Sequence, residues 1–267
     1  MGYGMHGMVT PLRRVIGCVI ALSLFGGCTI VRIPQHRRNA SMWATGSGEY
    51  AAVALQTYAG ARAALDLALL DTSWTACPEQ TADFETLPPA VIVDLDETVL
   101  DNRPFQLRLI RENRDFDPEM WRRWVNEKAA GLIPGSAGFL HAAHVRGVEI
   151  FYITNRENAE EAVTRETLIA LGLPLSDEID TLLTRDERPD WGSDKMSRRE
   201  WVVASHRVLL VVGDHLRDFT NVEGKSRKER RRITFENAEM WGWKWFMLPN
   251  PIYGNWAAAG RAEQPLD

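Results

Sequence analysis

Apolar residues repeat along this chain with two different periods. Over 48–70, a stretch rich in Ala and Leu, the apolar spacing is near 3.6, which predicts a long helix with Ser47 as its N-cap. A loop carrying Pro78, Pro88 and Pro89 ends it. Beyond that loop, apolar runs of strand length at 90–93, 148–153, 181–183, 208–212 and 245–248 alternate with helical patterns at 159–171 and 197–205. Strands alternating with helices imply βαβ units. The expected fold class is therefore α/β: a Rossmann-like, mainly parallel sheet with helices on both faces. Such sheets bind ligands outside the carboxyl ends of their strands.

A further apolar run, 15–25, is of another kind. Arg13 and Arg14 precede it and Gly26-Gly27-Cys28 follows, the layout of a signal peptide. The run is too short to cross a bilayer core, which needs about 20 residues as a helix. The segment 24–28, Leu-Phe-Gly-Gly-Cys, resembles a bacterial lipobox, in which the cysteine is acylated and becomes the new N-terminus. Two or three acyl chains at Cys28 exceed the threshold for stable anchoring, and Thr29 after the cysteine favours the outer membrane by resemblance to Gram-negative lipoproteins. The competing reading is a plain secretory signal cut elsewhere. The expected layout is a signal peptide at 1–27, a polar irregular tether at 28–46 and one domain at 47–267, with a small cap insert at about 102–147.

Composition narrows the function classes. The 267 residues are 45% hydrophobic and 25% charged, which excludes a disordered tail, a collagen-like repeat and a small disulfide scaffold. Removing 1–27, which holds Arg13 and Arg14 and no acid, leaves 29 basic residues against 36 acidic, a net charge of −7. A nucleic-acid partner is not expected from such a balance. Cys18 leaves with the signal and Cys28 carries lipid, so Cys77 stands alone as an inert loop thiol with no disulfide partner.

Polar groups stand where the sheet would present a site. Asp94-Leu95-Asp96-Glu97-Thr98 follows the first run, Thr154-Asn155-Arg156 the second, and Gly213-Asp214-His215-Leu216-Arg217-Asp218 the fourth. Hydrolysis of a phosphate monoester needs a nucleophile, neutralisation of the phosphoryl charge and a proton for the leaving oxygen. A carboxylate can attack phosphorus and split one hard step into two. A bridging cation relieves the repulsion between the anions, and Mg²⁺ suits carboxylate and phosphate oxygens. A lysine and a hydroxyl complete the phosphoryl cradle.

These residues resemble the haloacid dehalogenase superfamily, and within it the class C acid phosphatases, bacterial outer-membrane lipoprotein 5′-nucleotidases. The resemblance runs from Ser47-Gly48-Glu49-Tyr50 to Pro249-Asn250-Pro251-Ile252-Tyr253-Gly254-Asn255-Trp256. It implies Asp94 as nucleophile and Mg²⁺ ligand, and Asp96 as general acid/base that also offers its carbonyl to the metal. It implies Thr154 and Lys195 as phosphoryl-binding groups, Asp214 as a direct metal ligand and Asp218 as the holder of the lysine, with Asn155 and Thr98 in support. The chain departs from the family at His215, where Asn is usual, and at Arg217, where an acid is common. Lys225 and Lys228, in the run KSRKERRR, are rivals to Lys195, although that run reads as a solvated face.

The resemblance also places Trp121 and Tyr253 at the substrate mouth, where two aromatic faces would hold a nucleobase; the alternative is that these rings pack a core or pin the cap. His141 and His144 read as surface residues. The expected enzyme is a lipid-anchored, Mg²⁺-dependent phosphomonoesterase acting on 5′-nucleotides and nicotinamide mononucleotide through an aspartyl-phosphate. A haem- or nucleotide-binding lipoprotein without turnover and a phosphotransferase are the alternatives, and a homodimer is left open.

Overall fold

The computed structural model describes residues 1–4, 34–81 and 83–257. Residues 5–27 of the expected signal segment, and Cys28, lie outside the described residues. The fold is that of the compact unit Arg32–Asp267. In chain order its elements are α1 (Gln35–Gly46), α2 (Gly48–Leu70), β1 (Pro89–Val93), β2 (Leu100–Asp101), α3 (Arg103–Arg111), α4 (Pro118–Glu127), β3 (Gly131–Leu132), α5 (Ser136–Val145), β4 (Glu149–Glu157), α6 (Glu161–Ala170), β5 (Leu182–Arg185), α7 (Met196–Val203), β6 (Arg207–Gly213), α8 (Arg227–Glu236) and β7 (Trp245–Met247).

The five longer strands form one parallel sheet in the order β5-β4-β1-β6-β7. β1 is central, and its side chains divide two cores by simple alternation. Val91 and Val93 face a layer built on α2, α5 and α6, while Ala90 and Ile92 face Trp191, Val202, Phe219 and Trp245. Both faces are covered, which is why the strand is apolar throughout. From β1 the chain runs outward to β4 and β5, then returns to β6 on the other side of β1. The order therefore reverses between β1 and β6, and their carboxyl ends flank the crevice where such sheets bind ligands.

The predicted N-cap forms: the Ser47 hydroxyl accepts from the Tyr50 amide at 3.0 Å. Ala54, Ala61 and Ala68, all fully buried, let α2 lie close to the sheet.

Two boundaries differ from expectation. Most of the expected tether is helical: α1 buries Ser41 and Ala44, and Arg37 pairs with Asp115 at 3.0 Å. Its larger apolar residues, Met42 and Trp43, are exposed, so no buried apolar stripe marked the helix. The cap is also smaller than 102–147. It consists of α3, α4 and the β2/β3 ribbon, whereas α5 belongs to the main body, packed directly on α2 and β4.

Candidate active site

Asp94 is the first residue past β1, and its amide donates to the Val212 carbonyl of β6 at 2.9 Å, which fixes the crevice wall. The Lys195 ammonium, at the start of α7, lies 2.5 Å from Asp94 Oδ1 and 2.7 Å from Asp218 Oδ1. All three side chains are buried. Carboxylate oxygens of Asp94, Asp214 and Asp218 lie within 4.8 Å of one another. Gly213 is required for this approach, because a Cβ there would collide with the Asp218 side chain.

Burial pushes Asp94 up to about 7 against the pull of Lys195, and burial also raises Asp214. Burial opposes the charge of Lys195 too, but Asp218 and Asp94 more than offset it and hold the ammonium above its ordinary value. Asp218 is lowered: burial works against its charge, and Lys195 and His215 outweigh it. Three buried carboxylates around one ammonium leave a negative excess, and an oxygen-only donor set of this kind fits a hard divalent cation.

The Asp96 carboxylate is turned toward a different partner. The buried Arg156 guanidinium pairs with it at 2.7 Å through Nη2, with Nε at 3.1 Å and 3.2 Å from its two oxygens. The Asn102 amide donates to Asp96 at 2.8 Å, and the Trp124 indole donates to Asn102 at 2.8 Å. Glu97, at φ 60°, is buried beside them. It accepts from the Asn102 backbone at 3.0 Å and from the Tyr253 hydroxyl, and burial raises its carboxyl well above the usual range.

The loops are cross-tied. Thr154 is fully buried, and its hydroxyl accepts from the Arg156 amide at 3.1 Å. Thr154 and Arg156 lie within β4, which runs past the expected end of that strand at 153. Arg198 of α7, fully buried, donates to the Thr154 carbonyl, to Asn155 Oδ1 at 2.8 Å and to the Gly192 carbonyl at 2.8 Å. It thereby joins the end of β4 to the loop that delivers Lys195. Asn155 donates on to the Ser193 carbonyl at 3.1 Å. Thr98 lies beneath the site; its carbonyl accepts from the Tyr58 hydroxyl at 2.7 Å, and its own hydroxyl is buried without a hydrogen-bond partner.

The structure therefore brings Asp94, Lys195, Asp214 and Asp218 together, with Thr154 on the flanking strand β4 and Asp96 on the loop after β1. Lys225 and Lys228 are exposed, and the lysine held among these carboxylates is Lys195. Trp121 and Tyr253 approach through the acid network: the Arg156 guanidinium lies 5.5 Å from the Trp121 ring centroid, and Tyr253 reaches Glu97. Trp121 also packs edge-on against Phe105 at 5.4 Å, and Tyr253 edge-on against His215 at 6.0 Å, so each ring has a packing role. His141 and His144 are exposed on α5, and the buried Cys77 thiol is pushed up to about 12 by desolvation. Sequence reasoning gave no role to Arg156, Glu97, Asn102, Arg198 or Asn250, which donates to Asp214 at 2.7 Å. Arg156, Glu97, Arg198 and Asn250 act through partners distant in sequence, whereas Asn102 serves Asp96 and Glu97 only a few positions away.

The chain is similar to proteins of known sequence and structure. The class C acid phosphatase of Bacillus anthracis superposes with a TM-score of 0.74 at 33% identity, covering 86% of this chain and 90% of that one. The form of that protein with tungstate bound gives the same TM-score at 32% identity and the same coverage. The stem 28 kDa glycoprotein of Glycine max is 25% identical over 177 residues, 64% of this chain and 62% of that protein. The stem 31 kDa glycoprotein of the same plant is 25% identical over 166 residues, 61% of this chain and 58% of its own length. The chain thus spans about three fifths of these curated relatives. A family model described as HAD superfamily, subfamily IIIB (acid phosphatase) matches residues 20–256, and the chain belongs to that family.

Proposed function

We propose that this chain is a divalent-metal-dependent phosphomonoesterase with Asp94 as its nucleophile. The observation that carries the reading is the buried Lys195 ammonium held between Asp94 and Asp218 beside Asp214, at the point where the strand order reverses. Asp94, Asp214 and the backbone carbonyl of Asp96 would hold Mg²⁺, which when bound offsets the charge of the carboxylates and the ester. Thr154 and Lys195 donate to the phosphoryl oxygens. An Asp94 oxygen attacks phosphorus, the bond from phosphorus to the leaving oxygen breaks, and protonated Asp96 gives its proton to that oxygen. The Asp96 carboxylate then takes a proton from water as the water oxygen attacks the aspartyl-phosphate, which releases inorganic phosphate and restores Asp94.

The substrates we infer are 5′-nucleotides, nicotinamide mononucleotide included, with Trp121 and Tyr253 against the base, and the setting is the outer membrane through acylated Cys28. Among the described residues no helix is long and apolar enough to cross a membrane. Phosphate release from nucleotides and p-nitrophenyl phosphate, with Mg²⁺ or with chelator, tests the reaction. Wild type should turn over only with metal, and Asp94→Asn should lose activity by at least about 10³-fold, on the scale of losing a catalytic nucleophile. Metal-independent release, or an active Asp94→Asn, refutes it. Mass spectrometry of the mature N-terminus tests the anchor, and an unacylated first residue other than Cys28 refutes that part.

A further inference from the structure

A groove of about 570 Å³ runs from Asp214 and His215 to α8. Its walls differ in chemistry: Trp241, Met247 and Trp256 give apolar surface, and Arg230 and Arg231 of α8 give cations. A third guanidinium adjoins it. Arg217 lines the neighbouring recess together with Val222, and Arg230 Nη1 lies 3.4 Å from the Val222 carbonyl. Arg217 also donates at 3.1 Å to the Ser193 carbonyl, the acceptor of the Asn155 amide, so the cations begin beside the end of β4 that carries Thr154 and Asn155. Asp194 and Glu223 line the same recess, yet among the described residues no carboxylate comes within ion-pair distance of Arg217, Arg230 or Arg231. In a chain with more acids than bases, three arginines without a counter-charge at the edge of an ester-binding site are suited to a second anion.

We propose that this groove is a substrate subsite for an anionic group on the leaving-group side of the ester. The favoured substrates are phosphomonoesters whose aromatic or apolar leaving group bears a second phosphate, sulfonate or carboxylate. The ring lies on Trp241 and Trp256, and the second anion meets Arg230, Arg231 and Arg217. This rests on the phosphatase reading of Asp94 but needs no nucleobase.

The experiment compares kcat/KM for 1-naphthyl phosphate and for the same ester sulfonated on its second ring, using the Mg²⁺-loaded full chain. Wild type should favour the sulfonated ester by roughly tenfold, the scale of one added charge-assisted hydrogen bond. The Arg230→Gln/Arg231→Gln variant should fall to near parity while keeping its rate on 1-naphthyl phosphate. α8 buries none of its side chains, so the variant should fold, and its melting curve checks this. Equal rates in wild type, a preference that survives in the variant, or a parallel loss on both esters would overturn the subsite. A parallel gain of anionic-vesicle binding in wild type over variant would then assign the arginines to a membrane surface. No release from either ester overturns the phosphatase reading and this one together; release without discrimination overturns only this one.

Discussion

At the scale of single residues, the proposed acid/base, Asp96, is defined as much by Arg156 as by its own place in the motif. Asp96 stands two residues after Asp94, the proposed nucleophile, and its carboxylate is held in a fork by a guanidinium that is itself buried and lies against Trp121. Removing that guanidinium leaves the Asn102 amide as the holder of Asp96. Arg156→Met should therefore damage the step that needs a proton. For an alkyl phosphate, whose leaving alkoxide must be protonated, kcat should fall about 10²-fold, the lower end of what general acid catalysis contributes. For p-nitrophenyl phosphate, whose leaving group departs as an anion, the loss should stay within a few-fold. Arg156→Lys keeps the charge without the planar fork and should fall between. Steady-state kinetics on the two esters decides: equal losses on both would show that Arg156 supports the fold and not the proton transfer.

At the scale of elements, the stretch after β7 works as a strap over the site. Asn250 binds Asp214, the Tyr253 hydroxyl binds buried Glu97, and the Trp256 indole donates to the Tyr253 carbonyl at 3.1 Å. Tyr253→Phe removes one donor and leaves a buried Glu97 oxygen without it, so stability should fall by about 1 to 3 kcal/mol while the ring remains for a substrate to lie on. Thermal unfolding together with KM for a nucleotide checks this; a raised KM at unchanged stability would mean that the hydroxyl touches substrate. This strap also shows what the sequence could and could not convey. The sheet was legible because its central strands are continuous apolar runs, and the acidic loop of Asp94 and Asp96 because it directly follows one. The helix α2 and its Ser47 cap were legible from period and capping chemistry. The contacts Tyr253 to Glu97 and Arg156 to Asp96 were not, because they join residues 156 and 60 positions apart and no local period encodes them. α1 was missed for the opposite reason: it buries so little that its pattern resembles that of a loop.

At the scale of the whole molecule, the centre sets stability against charge. Burial holds the Asp94 carboxyl near 7 against an ordinary value of 3.8, and raises Asp214 and Glu97 as well. Between the ordinary carboxylate range and about pH 7, the metal-free fold therefore binds more protons than the unfolded chain. Stability that depends on such groups is fully present below the unfolded value and is lost as pH rises through the folded one. Asp218, lowered by Lys195 and His215, acts in the opposite sense, but its contribution is lost only below the ordinary carboxylate value, outside this window. The chelated protein should accordingly melt at a higher temperature at pH 5 than at pH 8. A cation that needs the carboxylates ionised replaces those protons, so the rise in Tm on adding Mg²⁺ should grow from pH 5 to pH 8. In Asp94→Asn the pH dependence of the chelated form should flatten, because the carboxyl that burial holds near 7 is gone and an amide does not titrate. Melting curves at pH 5, 6.5 and 8, with chelator and with Mg²⁺, measure both effects. A Tm increment independent of pH, or larger at pH 5, would show that the ion does not bind among these carboxylates.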